Sequence, residues 1–377
     1  MNRNDSLATL YTVDADHSTA LTVDHSAGVD LHKDNFRIHI RNKSGEVLYR
    51  KTVSKHKRER LLEILEPYKG NIVVGLESTY NWYWLYDTLM MNGFPCILGH
   101  AYYLSKQKMD KHKDDDRDAA NMSDLLRVGR FPVAYACDYD RRSVRGLMRL
   151  RVELMRDHTS YLLRNQCIGD QYLMEEASLA HAGYPPETIN DIDLALTINA
   201  EMQAELMQRV ERLDHYILER ALIQDRELYE LLAAVRGIGP VTALTILYET
   251  GDSNRFKNQQ TYSSYCRLVR PKWQSSGKEV GCGNARSGNP YLSWIYNSLA
   301  VQSIRNIPMI AAWYGQLKKK RGSRTARRVL AHRWATTAFF MLKRREPFNF
   351  EKFLGTALYA KLKAATDAKL LRSRTKE

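Results

Sequence analysis

A chain of 377 residues that is 44% apolar and 10% aromatic is long enough for two or three domains with true cores, which excludes an intrinsically disordered protein. Its 57 Lys and Arg against 43 Asp and Glu leave a formal net charge of +14, which points to a polyanionic partner, nucleic acid first. The five cysteines, Cys96, Cys137, Cys167, Cys266 and Cys282, are scattered and form no C-x-x-C pair, which excludes a zinc ribbon or a disulfide framework and suits reduced thiols.

Residues 1–22 are polar and without period, and are expected to form a flexible arm. From Ala27 three short β-rich runs follow, AGVDLHK, NFRIHIRN and GEVLYRKTV, separated by polar or glycine-containing turns, which predicts a meander. Residues 55–65 have helical apolar spacing, and Asn71–Glu77 is a continuous apolar run expected to be a buried strand. A helix over 82–91, a strand at Phe94–Leu98 and an acidic helix complete a β-β-β-α-β-α-β-α unit.

The acidic helix begins Lys113-Asp114-Asp115-Asp116-Arg117-Asp118-Ala119. Crowded carboxylates repel one another unless solvent or a cation relieves them, and in a basic chain a divalent metal is the pointed alternative to a solvated helix start. Asp115 and Asp118, three apart, share a helix face. A parallel sheet with a covering helix can bring them to Asp30 on the first strand and Glu77 at the end of the fourth. Four such carboxylates suit two Mg²⁺ or Mn²⁺ ions about 3.5–4 Å apart, the arrangement that clamps both oxygens of a phosphodiester exchange.

Gly28-Val29-Asp30, Leu76-Glu77-Ser78-Thr79 with Tyr83, and Lys113-x-Asp115-x-x-Asp118-Ala119 together resemble the Asp-Glu-Asp-Asp transposases of bacterial insertion sequences. The resemblance implies a first domain similar to the Holliday-junction resolvase RuvC, with an RNase H fold, and a structured bridge RNA as the guide that selects DNA. It also implies a place in the prokaryotic cytoplasm, at the nucleoid; no apolar run approaches the ~18 residues of a membrane span and the first twenty residues hold no signal-peptide core. The family spacing selects Asp115 over Asp114 as the metal ligand, although this chain has Lys-Asp-Asp where the family usually has Lys-Thr-Asp.

In the block from 141 to 228, Leu147, Leu150, Leu154 and Tyr161, and later Leu206, Val210, Leu213 and Ile217, recur at heptad-like steps. Two readings fit, an arm that pairs protomers or two helices packing within one chain, and the resemblance implies the arm. Next, Gly237-Ile238-Gly239-Pro240 sits between two helical patterns in the form of a helix-hairpin-helix, whose glycines let backbone approach a phosphate.

The segment Lys272 to Asn289 is rich in glycine, hydroxyls and donors and resembles the family's second conserved region. That resemblance places the catalytic serine at Ser276, before Gly277. A serine ester conserves the energy of the cut strand, as recombination requires and water cannot provide. The resulting site would join two domains, with two protomers as a further possibility. Between Val280 and Arg345 there is no Asp or Glu. A one-signed stretch of this length is read as phosphate-contacting. The nucleic-acid-binding residues expected are Gly237, Gly239, Lys272, Lys278, Arg286, Lys318, Lys319, Lys320, Arg321, Arg324, Arg327 and Arg328, while Tyr291, Trp294, Trp313 and Trp334 are expected in the core.

The expected fold class is α/β plus α. It comprises the arm (1–22), a RuvC-like mixed-sheet metal domain (23–135) and a helical coiled-coil arm (136–228). A mainly helical transposase domain with the helix-hairpin-helix and serine loop (229–355) and a basic C-terminal helix or tail (356–377) complete it. The expected activity is a Mg²⁺-dependent DNA recombinase acting as a dimer or tetramer on element ends and target through a phosphoserine. The alternatives are a RuvC-like structure-selective endonuclease using metal-activated water, and a non-catalytic nucleic-acid scaffold.

Overall fold

The structure, a computed structural model, describes residues 11–13, 19–54, 58–107, 115–172, 184–269, 272–275, 278–282 and 287–364. Its contacts divide the chain into two compact units, Met1–Tyr139 and Asp140–Glu377. The two long helices expected as a separate arm therefore belong with the C-terminal helices.

In the first unit, β1 (Tyr11–Val13) pairs antiparallel with β2 (Thr19–Leu21). Strands of three residues are too short to show alternation, so a segment expected as an unpatterned arm holds a small hairpin. The meander then appears as β3 (His25–Leu31), β4 (Asn35–Asn42) and β5 (Val47–Ser54), followed by α1 (Arg58–Leu65), β6 (Ile72–Glu77), α2 (Tyr83–Met91), β7 (Cys96–Gly99), α3 (Ala101–Lys106) and α4 (Asp115–Arg127). The mixed sheet has the order β5-β4-β3-β6-β7, with β3, β6 and β7 parallel and β4 and β5 antiparallel to their neighbours. Between β7 and α4, the six-residue helix α3 is added to the expected order.

Alternation on the strands sorts the two faces. Ala27, Val29 and Leu31 of β3 and Ile72, Val74 and Leu76 of β6 join one core with Leu61, Leu65, Leu85 and Leu89 of α1 and α2. Their neighbours in sequence, Gly28 and Gly75, face α4. A β-carbon on Gly28 would lie 2.1 Å from the Ala119 carbonyl oxygen and 2.6 Å from the Ser123 nitrogen, so the absence of a side chain is what lets α4 lie directly on β3. One on Gly75 would meet Leu126 at 2.7 Å. Met122, Leu126 and Phe131 close this second, smaller core against Val73, Ile97 and Leu104.

The second unit begins with α5 (Tyr139–Gln171) and α6 (Pro186–Gln224). They run antiparallel along each other in the same chain: Arg151 donates to both carboxylate oxygens of Asp214 at 2.5 and 2.9 Å, and Asn199 Nδ2 donates to Asn165 Oδ1 at 2.8 Å. The buried stripe of α5 is Val144, Met148 and Val152, whereas Leu150 of the heptad row is exposed. On α6, Leu206, Val210 and Ile217 are buried as the spacing predicted.

Helices α7 (Arg226–Ala233), α8 (Pro240–Thr250) and α9 (Gln259–Tyr265), the antiparallel strands β8 (Lys272–Ser275) and β9 (Lys278–Cys282), and α10 (Pro290–Asn306), α11 (Pro308–Arg321), α12 (Ser323–Arg344) and α13 (Phe350–Leu354) follow. Every residue from Thr242 to Thr250 is buried, as expected for a helix apolar on all sides, and α8 packs against α7 and α10 within one core to which α12 also contributes. Trp313 and Trp334 are core residues, whereas Tyr291 is half-buried and Trp294, also expected in the core, is exposed on α10; Trp334 Nε1 donates to the buried Ser303 hydroxyl at 3.0 Å.

Candidate functional site

Parallel strands present their carboxyl ends, and the loops after them, as the usual ligand edge of an α/β sheet. Val29 of β3 is in register with Leu76 of β6, so Asp30 and Glu77 are the next residues along two adjacent parallel strands. Each is two residues beyond a glycine that faces α4, and both therefore lie on the α4 face of the sheet. Asp30 is 5% exposed, a buried carboxylate that demands a partner.

Helix α4 runs opposite to β3. Arg127 Nη1 donates to the Lys43 carbonyl at 3.3 Å, beside the start of β3, and Ser123 Oγ is 3.3 Å from His39 Nδ1 above Gly28. Four helical residues rise about 6 Å, nearly the length of two strand residues, so the start of α4 is level with Asp30 when Ala119 is over Gly28. The first turn of α4, which carries Asp115 and Asp118, thus comes to the edge that holds Asp30 and Glu77. Asp118 is half-buried; the side chains of Asp115 and Asp116 and the whole of Asp114 lie outside the described residues.

One neighbour was not foreseen. His32 Nε2 lies 3.1 Å from Asp30 Oδ2. The signal was present in Asp30-Leu31-His32, because residues two apart share a strand face. Around the same edge, Asn81 Nδ2 donates to the His32 carbonyl at 3.0 Å, Ser78 N to the Gly99 carbonyl at 2.9 Å and Ala101 N to Ser78 Oγ at 3.2 Å. These bonds join the loops after β3, β6 and β7 into one rim.

An all-oxygen carboxylate set suits a hard divalent cation, and the buried position of Asp30 fits such an ion. Among the described residues no three of His, Cys, Asp and Glu converge closely enough to hold one.

In the second unit, β8 and β9 pair with Ser275 opposite Lys278. Ser276 and Gly277, between them, and Arg286 lie outside the described residues; Lys272 and Lys278 are placed on the strands, by backbone alone. The segment's return into α10 is firmly held. Asn289 caps α10 by accepting from Tyr291 N at 2.9 Å and Leu292 N at 3.1 Å, and its Nδ2 donates to Glu249 Oε2 at 2.6 Å. Gly288 has φ +95°, and a β-carbon there would lie 2.4 Å from the Tyr265 carbonyl oxygen, so only glycine passes. Arg267 Nε donates to the carbonyls of Ser287 and Gly288 at 3.2 and 3.1 Å.

Glu249, 1% exposed, also receives Arg149 Nε at 2.7 Å and Nη2 at 2.8 Å. Burial works against the Arg149 charge, but the carboxylate outweighs it and the guanidinium is held above its ordinary range.

Gly237 (φ +95°) and Gly239 connect α7 to α8. A β-carbon on Gly239 would meet nothing within 4 Å, so packing does not require that glycine. Lys318, Lys319, Lys320 and Arg321 end α11, and Arg324, Arg327 and Arg328 begin α12, all exposed.

Residues 27–172 match a transposase family model of the Asp-Glu-Asp-Asp, IS110 type, and residues 229–315 match the transposase model of the IS116/IS110/IS902 family. The chain belongs to the IS110 family of transposases. Within that family it is similar to the transposase for insertion sequence element IS1111A of Coxiella burnetii, with 24% identity over 85% of this chain and 90% of the relative. It is also similar to the transposase for IS1328 of Yersinia enterocolitica, at 22% identity over 70% of this chain and 79% of the relative. The transposase for IS1533 of Leptospira borgpetersenii is 24% identical over 76% of this chain and 84% of its own length. No helix among the described residues is long and apolar enough to cross a membrane.

Proposed function

We propose that this IS110-family transposase cuts and rejoins the DNA of its insertion sequence through a covalent phosphoserine at Ser276, with Asp30, Glu77, Asp115 and Asp118 holding Mg²⁺ or Mn²⁺ and a bridge RNA selecting the DNA. The observation that supports the metal half of this reading is that Asp30 and Glu77 end two adjacent parallel strands, β3 and β6, on the sheet face that α4 covers. When bound, the cation supplies positive charge to the attacking and departing oxygens of a phosphodiester.

In the cutting step the Ser276 Oγ–P bond forms as the P–O bond to the departing strand breaks, and the released strand oxygen takes up a proton. The phosphate remains an ester throughout, so attack by another strand end can regenerate a DNA linkage without external energy. The buried Asp30 and its neighbour His32 orient the carboxylate edge, while the exposed cations of α11 and α12 neutralise phosphates along the bound strands. The Gly237–Gly239 turn offers α8 backbone amides to a further phosphate.

The test is purified native chain and Ser276→Ala, each incubated with element-end DNA and Mg²⁺ and resolved on a denaturing gel. The native chain should give strand cleavage and a protein–DNA adduct, and the variant neither. Cleavage persisting in Ser276→Ala would instead select the endonuclease that uses metal-activated water. RNA sequenced from the native preparation should match DNA flanking the gene, and its absence counts against guided targeting.

A further inference from the structure

Outside the carboxylate edge and the serine segment, the second unit contains a cavity of about 470 Å³ between α12, α13 and the turn that joins them. Its floor is one face of α12: Val329, Arg333, Thr336, Phe340 and Arg344 recur at steps of three and four. Its wall is formed by residues 346–349 with Lys352 and Phe353.

Three features give this cavity a chemical preference. First, three aromatic rings line it, Phe340, Phe348 and Phe353. Phe348 is backed by Trp334, with centroids 5.5 Å apart and planes 22° apart, and the Arg344 guanidinium carbon is 4.6 Å from the centroid of Phe340. Second, cations outnumber anions. Among the described residues Glu346 is the one carboxylate in the lining, and it already faces Lys352 Nζ at 3.1 Å, leaving Arg333 and Arg344 in excess. Third, Thr336 is among the lining residues, and its Oγ1, shielded from solvent, has no hydrogen-bond partner among the described residues.

We propose that this cavity binds one unstacked nucleotide of a single strand, its base against Phe340 and Phe348 and its phosphate on Arg333 and Arg344. An acidic peptide would use the arginines and leave the aromatic walls idle, and a duplex base has both faces already covered. Cation and ring together are the usual pair for single-stranded nucleic acid. The volume is ample for a nucleotide. The proposal rests on the nucleic-acid reading of the chain and is independent of the carboxylates and of Ser276.

The experiment uses the full chain and fluorescent 2-aminopurine oligonucleotides of one sequence as single-stranded DNA, single-stranded RNA and duplex DNA. Stacking quenches the probe, so one of the two single strands should be quenched on binding and the duplex should not; the DNA and RNA arms identify which strand supplies the nucleotide. Phe340→Leu and Arg333→Gln should each weaken single-strand binding by ~5-fold or more while duplex affinity stays within twofold. In the unaltered chain, 5-iodouracil in the bound strand should photocross-link to Phe340 or Phe348, a readout that needs no variant. Equal single-strand affinity in both variants, or cross-links confined to other sites, would overturn the cavity assignment. A native chain that binds none of the three probes would overturn the nucleic-acid reading as well.

Discussion

Arg149 and Glu249, a hundred positions apart, form a two-point ion pair that joins α5 to the buried helix α8, with Nε and Nη2 at 2.7 and 2.8 Å from the two carboxylate oxygens. The same carboxylate accepts from Asn289, the cap of α10 at the end of the segment that carries Ser276. Glu249 therefore ties three helices at a single buried group.

Removing that charge alone should be costly. Glu249→Gln leaves a guanidinium facing a neutral amide, and because Arg149 is about one-third exposed, water moderates the loss to about 2–3 kcal/mol. Urea denaturation of the purified variant measures it. The double variant Arg149→Met, Glu249→Met should recover part of that loss, since it leaves no buried charge unmatched. A double variant weaker than the sum of the singles would contradict the pairing.

Two glycines with opposite surroundings make a second comparison. Gly28→Ala forces a methyl to 2.1 Å from the Ala119 carbonyl oxygen, so α4 must lift and the first unit should lose ~3 kcal/mol or more. Gly239→Ala, where 4 Å around the new atom is empty and φ is −77°, should leave stability within ~0.5 kcal/mol. If the Gly239 turn contacts phosphate, DNA affinity falls in the second variant although its melting temperature does not.

The carboxylate edge is tested by Glu77→Gln and Asp30→Asn. Each should lower strand cleavage by ~100-fold or more while the protein stays folded, because removing a crowded carboxylate relieves repulsion in the absence of metal. Mg²⁺ titration should raise the melting temperature of the native chain and not of the variants, by the mass-action effect of a ligand on the folded state. Comparing Asp114→Asn with Asp115→Asn by the same two readouts decides which of the adjacent acids serves.

The N-terminal sheet was legible because its signals are local: buried strands such as Ile72–Glu77 read as apolar runs, whereas the close approach of α4 over Gly28 and Gly75 emerged only from the fold. Asp30-Leu31-His32 also stated a same-face pair, visible once the strand is granted. On α5 a heptad count cannot tell which of two apolar rows, Leu147–Leu150–Leu154 or Val144–Met148–Val152, is buried within the chain; tertiary packing decides that, and it buries the second. Nothing in the sequence announced that Glu249 would meet Arg149 or Asn289, since long-range ion pairs leave no periodic trace. Helix α3, at six residues, is too short for its spacing to register.

The exposed cations at the α11–α12 junction give a salt-dependence prediction. Replacing Lys319, Lys320 and Arg321 with Gln should weaken duplex and single-strand binding alike and reduce the slope of log K against log salt by ~2–3, close to one for each phosphate that no longer meets a cation. Fluorescence anisotropy at several salt concentrations gives the slope. An unchanged slope would place the DNA elsewhere on the protein.

His332, on the cavity face of α12, links stability to pH. Burial, then the neighbouring Arg333, hold its imidazolium below the ordinary histidine range. The folded chain therefore takes up this proton less readily than the unfolded chain, whose histidine titrates near ~6.5. The stability contributed is complete above that value and is lost as pH falls through it toward the lower folded pKa. His332→Gln removes the titration and keeps a polar side chain of similar reach. Denaturation of both proteins from pH 8 to pH 5 should give a stability difference that is flat above pH 7 and shifts against the native chain below it. A difference that grows in favour of the native chain on acidification would mean that His332 gains a proton in the fold, and that the cavity wall around it is anionic where the structure has Arg333.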